Sequence, residues 1–413
     1  MRRSAFIARA TATAASVAVP SRPTVTPTVR IGFLESFSGP FSAIGHHQHA
    51  GAELAIKAAN SRGGVRHELV TGDDAGRPAE GSVAARALID HAKVDAMMMG
   101  SSSAVALAVA PIVREAGVFT VLLGASAVSL TGTSANRVVY RFPPNDKMQL
   151  NAFAQRILSY GKNWYFIVAD YTFGHDGHTR LAQLLQHARG TEVAADLVQL
   201  NAPDYSSSLL KLRNSNADVL VLCQGNRDAR TAAKQFVELG LQTRFHLAGI
   251  NLEDYDLQTL PVGSTFPVPW SPSVSDSARK LARELQPHLD DPISWRHYFG
   301  YISTAQLIDR MHAVGTTRTE PLVAAFQEHR FDAAKSHPAV WRACDHQCGQ
   351  DQYVGVIVSD SKREKTGSGF DIVVNVPPVL DSRACLDADS AAAATTIVSQ
   401  DIPERPGYQP KRV

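Results

Sequence analysis

Cysteine is scarce: the 413 residues contain four. So few cannot make a disulfide-held scaffold, and no paired Cys-x-x-Cys halves mark a structural zinc site. Charge is also thin. Charged residues make up 19% and the formal net charge is +2, so no polyanion footprint exists. Aromatics are 7% and nowhere interleave with a basic stripe, which argues against a nucleic-acid partner. No run reaches the uninterrupted apolar length of a membrane span, so an integral membrane protein is not expected. A phosphate-binding P-loop is missing, and no nucleophile–base–orienter set can be assembled with local support. The chain therefore reads as a non-enzyme. Neither a cofactor nor a metal is expected.

What is present is apolar residue, at 44%, arranged in alternating patterns. At this length two cores are the default. Residues 29–35 are β-rich, and Ser36-Phe37-Ser38-Gly39-Pro40 breaks them into a loop. Residues 51–60 form an amphipathic helix closed by Asn60-Ser61-Arg62-Gly63-Gly64. A strand over 68–72 ends in Asp73-Asp74. A helix over 81–91, a strand over 94–99, a helix over 104–116 and a strand over 119–123 follow. This βαβαβαβ order predicts a parallel sheet with right-handed crossovers.

After a strand at 138–142, Pro143-Pro144 marks a crossing and the plan restarts. Helices are read over 147–160, 178–189, 205–214 and 228–239. Strands are read over 164–169, 192–200, 218–223 and 244–250. The loops at 170–174 and 224–226 end two of those strands. A less regular part follows: a proline-rich stretch at 262–275, helices over 277–285, 301–314 and 321–328, and a β pair at 353–358 and 370–376 joined by a charged turn. Residues 381–413 read as a mobile tail.

The organising stretch is Met99-Gly100-Ser101-Ser102-Ser103, which runs into the 104–116 helix. Small hydroxyl residues at a helix start can cradle an anion, because the first N–H groups lack internal partners and the dipole favours negative charge. The same residues would equally serve as an ordinary N-cap. Ligands of parallel sheets bind beyond the carboxyl ends of strands. Four loops converge there, at 36–40, 73–76, 100–103 and 124–126, and that convergence favours the cradle.

Arg2-Arg3 followed by small apolar residues to Val19, interrupted by Arg9, with Ala15-Ser16-Val17-Ala18 and Val17-Ala18-Val19-Pro20 as cleavage sites, reads as an export signal within residues 1–28, a disordered segment being the alternative. Among the cysteines, Cys223 reads as core. Cys344, Cys348 and Cys385 leave room for a bridge in an oxidising compartment. A metal set of Cys344, His346 and Cys348 lacks a second half. His46, His47 and His49 read as a solvated helix start.

These motifs in this order resemble substrate-binding proteins of the branched-chain amino acid type of ABC importer. Ser38-Gly39-Pro40, Gly51 to Ile56, Asn60 to Gly64, Asp73-Asp74, Gly100 to Ser103, Gly124-Ala125-Ser126, Tyr171-Thr172-Phe173-Gly174 and Asp345-His346-Gln347 carry the likeness, over roughly 29–378. The resemblance implies the type I periplasmic binding fold: α/β, two Rossmann-like lobes with parallel central sheets joined by a three-strand hinge. Its lobes would be 29–144 with 275–352, and 145–274 with 353–380. It implies a monomer outside the cytoplasm, a small carboxylate ligand and an ABC permease as partner. A cytoplasmic ligand-sensing regulator of the same fold is the alternative.

By the same resemblance Ser102 and Ser103 hold the carboxylate, completed by the Ala125 backbone and the Ser126 hydroxyl. Tyr171 and Phe173 cover the ligand from the second lobe. Asn226 and Gly249 lie on further second-lobe loops, and Ser38 to Phe41 roof the cleft. One departure stands out. Amino-acid binders of this type place an acid near the position of Gly249, whereas Ala248-Gly249-Ile250-Asn251 carries no charge. Glu253 or Asp254 would serve only with a shifted register. A buried ammonium without a carboxylate is costly. The expectation is therefore an aromatic or aliphatic acid without an α-amine, with a branched-chain amino acid as the alternative.

Overall fold

The computed structural model describes residues 28–378 apart from 101, 251–256, 258–259, 360 and 363–368, and the side chain of Asn226. The expected signal at 1–28, the tail at 381–413, Cys385, and Glu253 and Asp254 thus fall almost wholly outside the described residues, Thr28 alone excepted.

The first sheet is built from β1 (Thr28–Glu35), β2 (Arg66–Asp73), β3 (Ala96–Met99), β4 (Thr120–Leu122) and β5 (Val139–Arg141). Its order is β2-β1-β3-β4-β5, parallel throughout. Strands buried on both faces read as unbroken apolar runs, as Ala-Met-Met-Met of β3 does. Its intervening helices are α1 (Ser42–Asn60), α2 (Pro78–Arg86) and α3 (Ser103–Ala116). A π turn at Ala87–His91 extends α2.

Beyond α4 (Asp146–Leu158), the second sheet gathers β6 (Asn163–Ala169), β7 (Thr191–Val198), β8 (Val219–Cys223), β9 (His246–Gly249) and β10 (Thr265–Val268). Between them run α5 (Thr172–His187), α6 (Ser206–Arg213) and α7 (Asn226–Glu238). The chain then forms α8 (Asp276–Leu285), α9 (Trp295–Val314) and α10 (Thr319–Phe326). A small antiparallel sheet of β11 (Arg330–Phe331), β12 (Ala339–Trp341) and β13 (Cys348–Gly349) follows. Finally β14 (Gln352–Ile357) and β15 (Phe370–Val376) return antiparallel to the second sheet, giving the order β15-β14-β10-β9-β8-β6-β7.

The strand order reverses next to β1 in one sheet and next to β6 in the other. Reversals open crevices at the carboxyl ends, where loops turn to opposite faces. The chain leaves the first sheet for the second at residues 142–145, leaves the second sheet after β10 at 269–275, and re-enters it from the small sheet at 350–351. Helix α9 lies against α1. They approach closely because Gly51 and Gly300 face each other's backbones: a Cβ on Gly51 would meet the His297 carbonyl oxygen at 2.0 Å, and one on Gly300 that of Gln48 at 1.9 Å.

Several sequence-read boundaries shift, each for a physical reason. Thr172 to Gly174 are not a loop but the first turn of α5. Gly174 permits this, since a Cβ there would sit 2.1 Å from the Ala169 carbonyl oxygen. Asn226 likewise opens α7 rather than closing a loop. Helix α9 starts six residues before the expected 301, because Ser294 caps it, accepting from the N–H groups of Arg296 and His297 at 3.2 and 3.4 Å. The proline-rich stretch hides β10. Pro267 is tolerated there because only Thr265 is paired with β9.

Cys344 is disulfide-bonded, whereas Cys223 and Cys348 are free and buried. The bridge expected among the last three cysteines therefore does not involve Cys348. The metal set fails as well: the His346 ring stacks on Tyr140 at 4.1 Å and turns Nδ1 to the Asn136 and Val139 carbonyls, both at 3.2 Å. Among the described residues no group of three metal-ligating side chains forms, and no helix is long and apolar enough to cross a membrane.

Candidate functional site

The carboxyl ends of β1, β2, β3, β4, β6 and β7 converge on one cavity of about 440 Å³. Phe41, Ser102, Ser103, Ser126, Tyr171 and Phe173 all line it, six of the residues expected from the sequence. The Tyr171 and Phe173 rings lie 6.0 Å apart on the side of the second sheet. Burial, with the Asp228 and Asp146 carboxylates nearby, pushes the Tyr171 phenol up, so it stays a neutral hydroxyl at physiological pH.

Three of the other four expected residues, Ser38, Ala125 and Gly249, sit elsewhere. Ser38 does not line the cavity; its hydroxyl donates to Asp73 at 2.6 Å. Asp73 also accepts from the N–H groups of Phe37, Ser38 and Ala75. Burial opposes its charge, but these four donors hold its carboxyl below the ordinary value. The Ala125 N–H already donates to the Gly100 carbonyl at 3.1 Å. Gly249 is paired with Leu222 inside the sheet, and Ile250 beside it reaches a deeper cavity instead. The side chain of Asn226 lies outside the described residues.

The serines are held by different bonds. Ser102 has extended backbone and caps α3, its oxygen accepting from the Val105 N–H at 3.4 Å. The Ser103 oxygen accepts from the Ala127 N–H at 3.2 Å. Ser126 accepts the Asp146 N–H on its carbonyl at 3.1 Å and hydrogen-bonds the Asp146 carboxyl through its hydroxyl.

Arg77, paired with Glu80 at 2.6 Å, also lines the main cavity. Two further charged residues complete the site, and neither was expected from the sequence. Arg296, in the first turn of α9, lines the main cavity and a smaller one beneath it. Asp146, the first residue of α4, lines the smaller cavity and is 6% exposed. Its Oδ2 has no hydrogen-bond partner. Burial raises its pKa to about 6, against the pull of the Ser126 hydroxyl and of Arg141. The only sequence signal for either was position: Asp146 follows the Pro143-Pro144 crossing, and Arg296 follows a Ser that can cap.

A family model for periplasmic binding proteins matches residues 28–362. The chain belongs to that family. A Leu/Ile/Val-binding protein homologue of Brucella melitensis is 26% identical over 220 residues, which cover 52% of this chain and 59% of that protein. The match thus spans a little over half of that relative's length. Among solved structures, a periplasmic binding protein of Burkholderia mallei superposes with a TM-score of 0.79 at 22% identity, covering 86% of this chain and 96% of the other. A Rhodopseudomonas palustris solute-binding protein in complex with 4-hydroxybenzoate gives 0.77 at 20% identity, covering 85% and 97%. These likenesses establish the α/β binding-protein fold.

In this binding protein the cavity loop is tied to the crossings between sheets. Arg141, at the end of β5, is fully buried. It donates to the Ala127 carbonyl, the Thr131 hydroxyl and Gln347 Oε1, each at 2.6 Å. Gln347 passes the tie on, donating to the Pro143 carbonyl at 2.8 Å. Burial lowers the Arg141 pKa to about 10, which leaves it charged at neutral pH. Gln350 Nε2 also donates to the Phe142 carbonyl, so the loop after β4 and the segments at 142–145 and 350–351 form one bonded unit.

Proposed function

We propose that this chain captures a small carboxylate-bearing solute between two α/β lobes outside the cytoplasm and hands it to an ABC importer permease. The lobes would be 29–144 with 275–352, and 145–274 with 353–380. The observation that carries this reading is the single cavity in which Ser102 and Ser103, at the start of α3, face Tyr171 and Phe173. Helix starts carry N–H groups without an i−4 carbonyl, and an anion there gains from the helix dipole. Ser102 and Ser103 use their oxygens as acceptors within the protein, so each has its hydroxyl proton to offer a ligand oxygen.

The relatives agree in class, since the names of some specify Leu/Ile/Val binding and that of another a bound 4-hydroxybenzoate. Both ligand types carry a carboxylate. The bonded state of Cys344 fits an oxidising compartment. Capture would follow hinge logic: solute binds one lobe, the other completes the contacts, and the closed form is populated by differential affinity.

The test is a thermal-shift screen of the purified chain against small acids and their matched primary amides. Ligands that bind only the folded state raise the melting temperature by mass action. Shifts with acids and none with the amides are expected. Equal shifts with the amides, or none with any acid, would overturn the carboxylate reading.

A further inference from the structure

The cavity reaches well beyond the serines. The loops after β2 and β7 also line it, with Gly76 and Arg77 on one side and Leu200 and Asn201 on the other. Both β2 and β7 are edge strands, each on the side of its sheet away from β5 and β10, where the chain leaves the sheets. These two loops are therefore the lips of the cleft mouth.

Each lip is held in shape by aspartates. Asp73 accepts from the Ala75 N–H at 2.8 Å and Asp74 from the Gly76 N–H at 2.7 Å, and both residues have left-handed backbone, φ +49° and +72°. Opposite them the Ala202 N–H closes a turn on the Gln199 carbonyl at 3.3 Å, with Leu200 and Asn201 at its tip. Asn201 has φ +64°, a conformation Asn tolerates better than most side chains, and the buried Asp228 accepts its N–H at 2.9 Å. Left-handed non-glycine residues gather at ligand clamps, where their surroundings over-determine them. The second lip is thus a formed feature that brings a 39% exposed leucine and an amide to the mouth.

The chemistry there is one-sided. Among the described residues the charged side chains that line this cavity are Arg77 and Arg296, both cations. Arg77 meets Glu80 through Nε, and a guanidinium carries four further N–H groups on its terminal nitrogens. Both members of that pair are exposed, so the pair is weak and a ligand acid can share the guanidinium. The Asn201 amide adds two N–H donors. At the inner end Ser102 and Ser103 present their hydroxyl protons. Between the two ends stand Phe41 and Ile44, which follow β1, the strand between β3 and β2. The serine loop after β3 and the Arg77 loop after β2 are two strand spacings apart, about 10 Å. Once the reach of the arginine is taken off, acid groups that meet both ends stand roughly 6–9 Å apart.

We infer that Arg77 and Asn201 form a distal subsite for a second carboxylate, and that the preferred solute is a dicarboxylate with an apolar body between its acid groups. This deepens the carboxylate reading and rests on it. The span corresponds to a straight chain of roughly six to eight carbons, or to a benzene ring with acids in para positions. A shorter diacid cannot touch both ends.

The experiment is calorimetric titration of the purified chain with diacids and matched monoacids: hexanedioate with hexanoate, octanedioate with octanoate, and 1,4-benzenedicarboxylate with 4-methylbenzoate. In a pair that binds, the diacid should bind about 10-fold or more tighter than the monoacid. Butanedioate, being too short, should gain nothing over butanoate; an equal gain there would overturn the distal subsite. Arg77→Gln should shrink the diacid advantage to about 3-fold or less. Asn201→Gly, which keeps the left-handed turn, should shrink it part of the way. The wild-type ranking decides the point even if a variant fails to fold. Monoacids binding as tightly as their diacids, or an advantage that survives Arg77→Gln, would overturn the inference and leave the carboxylate reading standing. No binding by any acid of either kind would overturn both.

Discussion

The Asp146 carboxyl should show itself in stability before any ligand is added. Its pKa in the fold is about 6, against an ordinary 3.8, and burial is the main cause. The folded chain therefore binds this proton more tightly than the unfolded chain does. The stability this contributes is fully present below about pH 3.8 and is lost as pH rises through about 6. Above that, the ionised carboxylate weighs on the fold by about 3 kcal/mol, the free energy equivalent of that pKa difference. Asp146→Asn keeps the shape and an oxygen for the Ser126 hydroxyl but has no charge to desolvate. It forgoes about 0.3–1 kcal/mol of favourable charge at the start of α4, and its amide N–H₂ brings about 1 kcal/mol of unmet donors. The net expectation is a variant about 1–2 kcal/mol more stable than wild type at pH 8, and less stable at pH 4. Urea unfolding of both proteins at half-unit steps from pH 4 to pH 8 measures this. The stability difference should swing by about 3 kcal/mol, with its midpoint between the two pKa values. A difference that stays flat with pH would refute the reasoning, because Asp146 would then not be an ionised, desolvated group.

Other features make equally specific claims. Gly300→Ala should destabilise the fold by about 3 kcal/mol, since its Cβ would overlap the Gln48 carbonyl and α1 must back away; the urea midpoint reports it. Arg141→Met removes the donor to Ala127, Thr131 and Gln347 and should lower stability by about 3 kcal/mol, with Arg141→Lys recovering part of the loss in the same assay. Lys335 is buried, donates to the Asp351 carbonyl at 2.9 Å, and is held at a pKa of about 7 by burial against the pull of Asp351. Its folded-state pKa is depressed, so stability should rise between about pH 7 and 10 with a slope of up to about 1.4 kcal/mol per pH unit; Lys335→Met should flatten that rise. With Cys223 and Cys348 free, a non-reducing peptide map should find Cys344 linked to the one cysteine left, Cys385, and a free Cys344 thiol in the protein purified without reductant would contradict it.

How much of this was legible in the sequence depends on the range of the forces involved. Parallel strands buried on both faces are local apolar runs, so β1, β3, β6 and β8 could be read within a residue or two. The resemblance, too, located the serine loops that the cavity brings together. Failures cluster where a tertiary contact overrides local chemistry. Gly174 reads as a turn, yet it is there to let α5 start against the Ala169 carbonyl. The aromatic run Trp295 to Phe299 has no polar face to betray a helix because it is buried all round. The two- and three-residue strands β11, β12 and β13 are too short to carry a period.

The polar logic of the site was the least legible part, and the reason is general. Three serines look alike in a sequence; what separates them is which of their lone pairs and protons the protein already uses. Ser126 acts as an acceptor only because Asp146 lies next to it, and that adjacency is made by the Pro143-Pro144 crossing, not by spacing along the chain. A group at that point stands where both lobes would pivot. Ser126, which lines the main cavity, is thereby bonded to the first residue of α4, just past that segment.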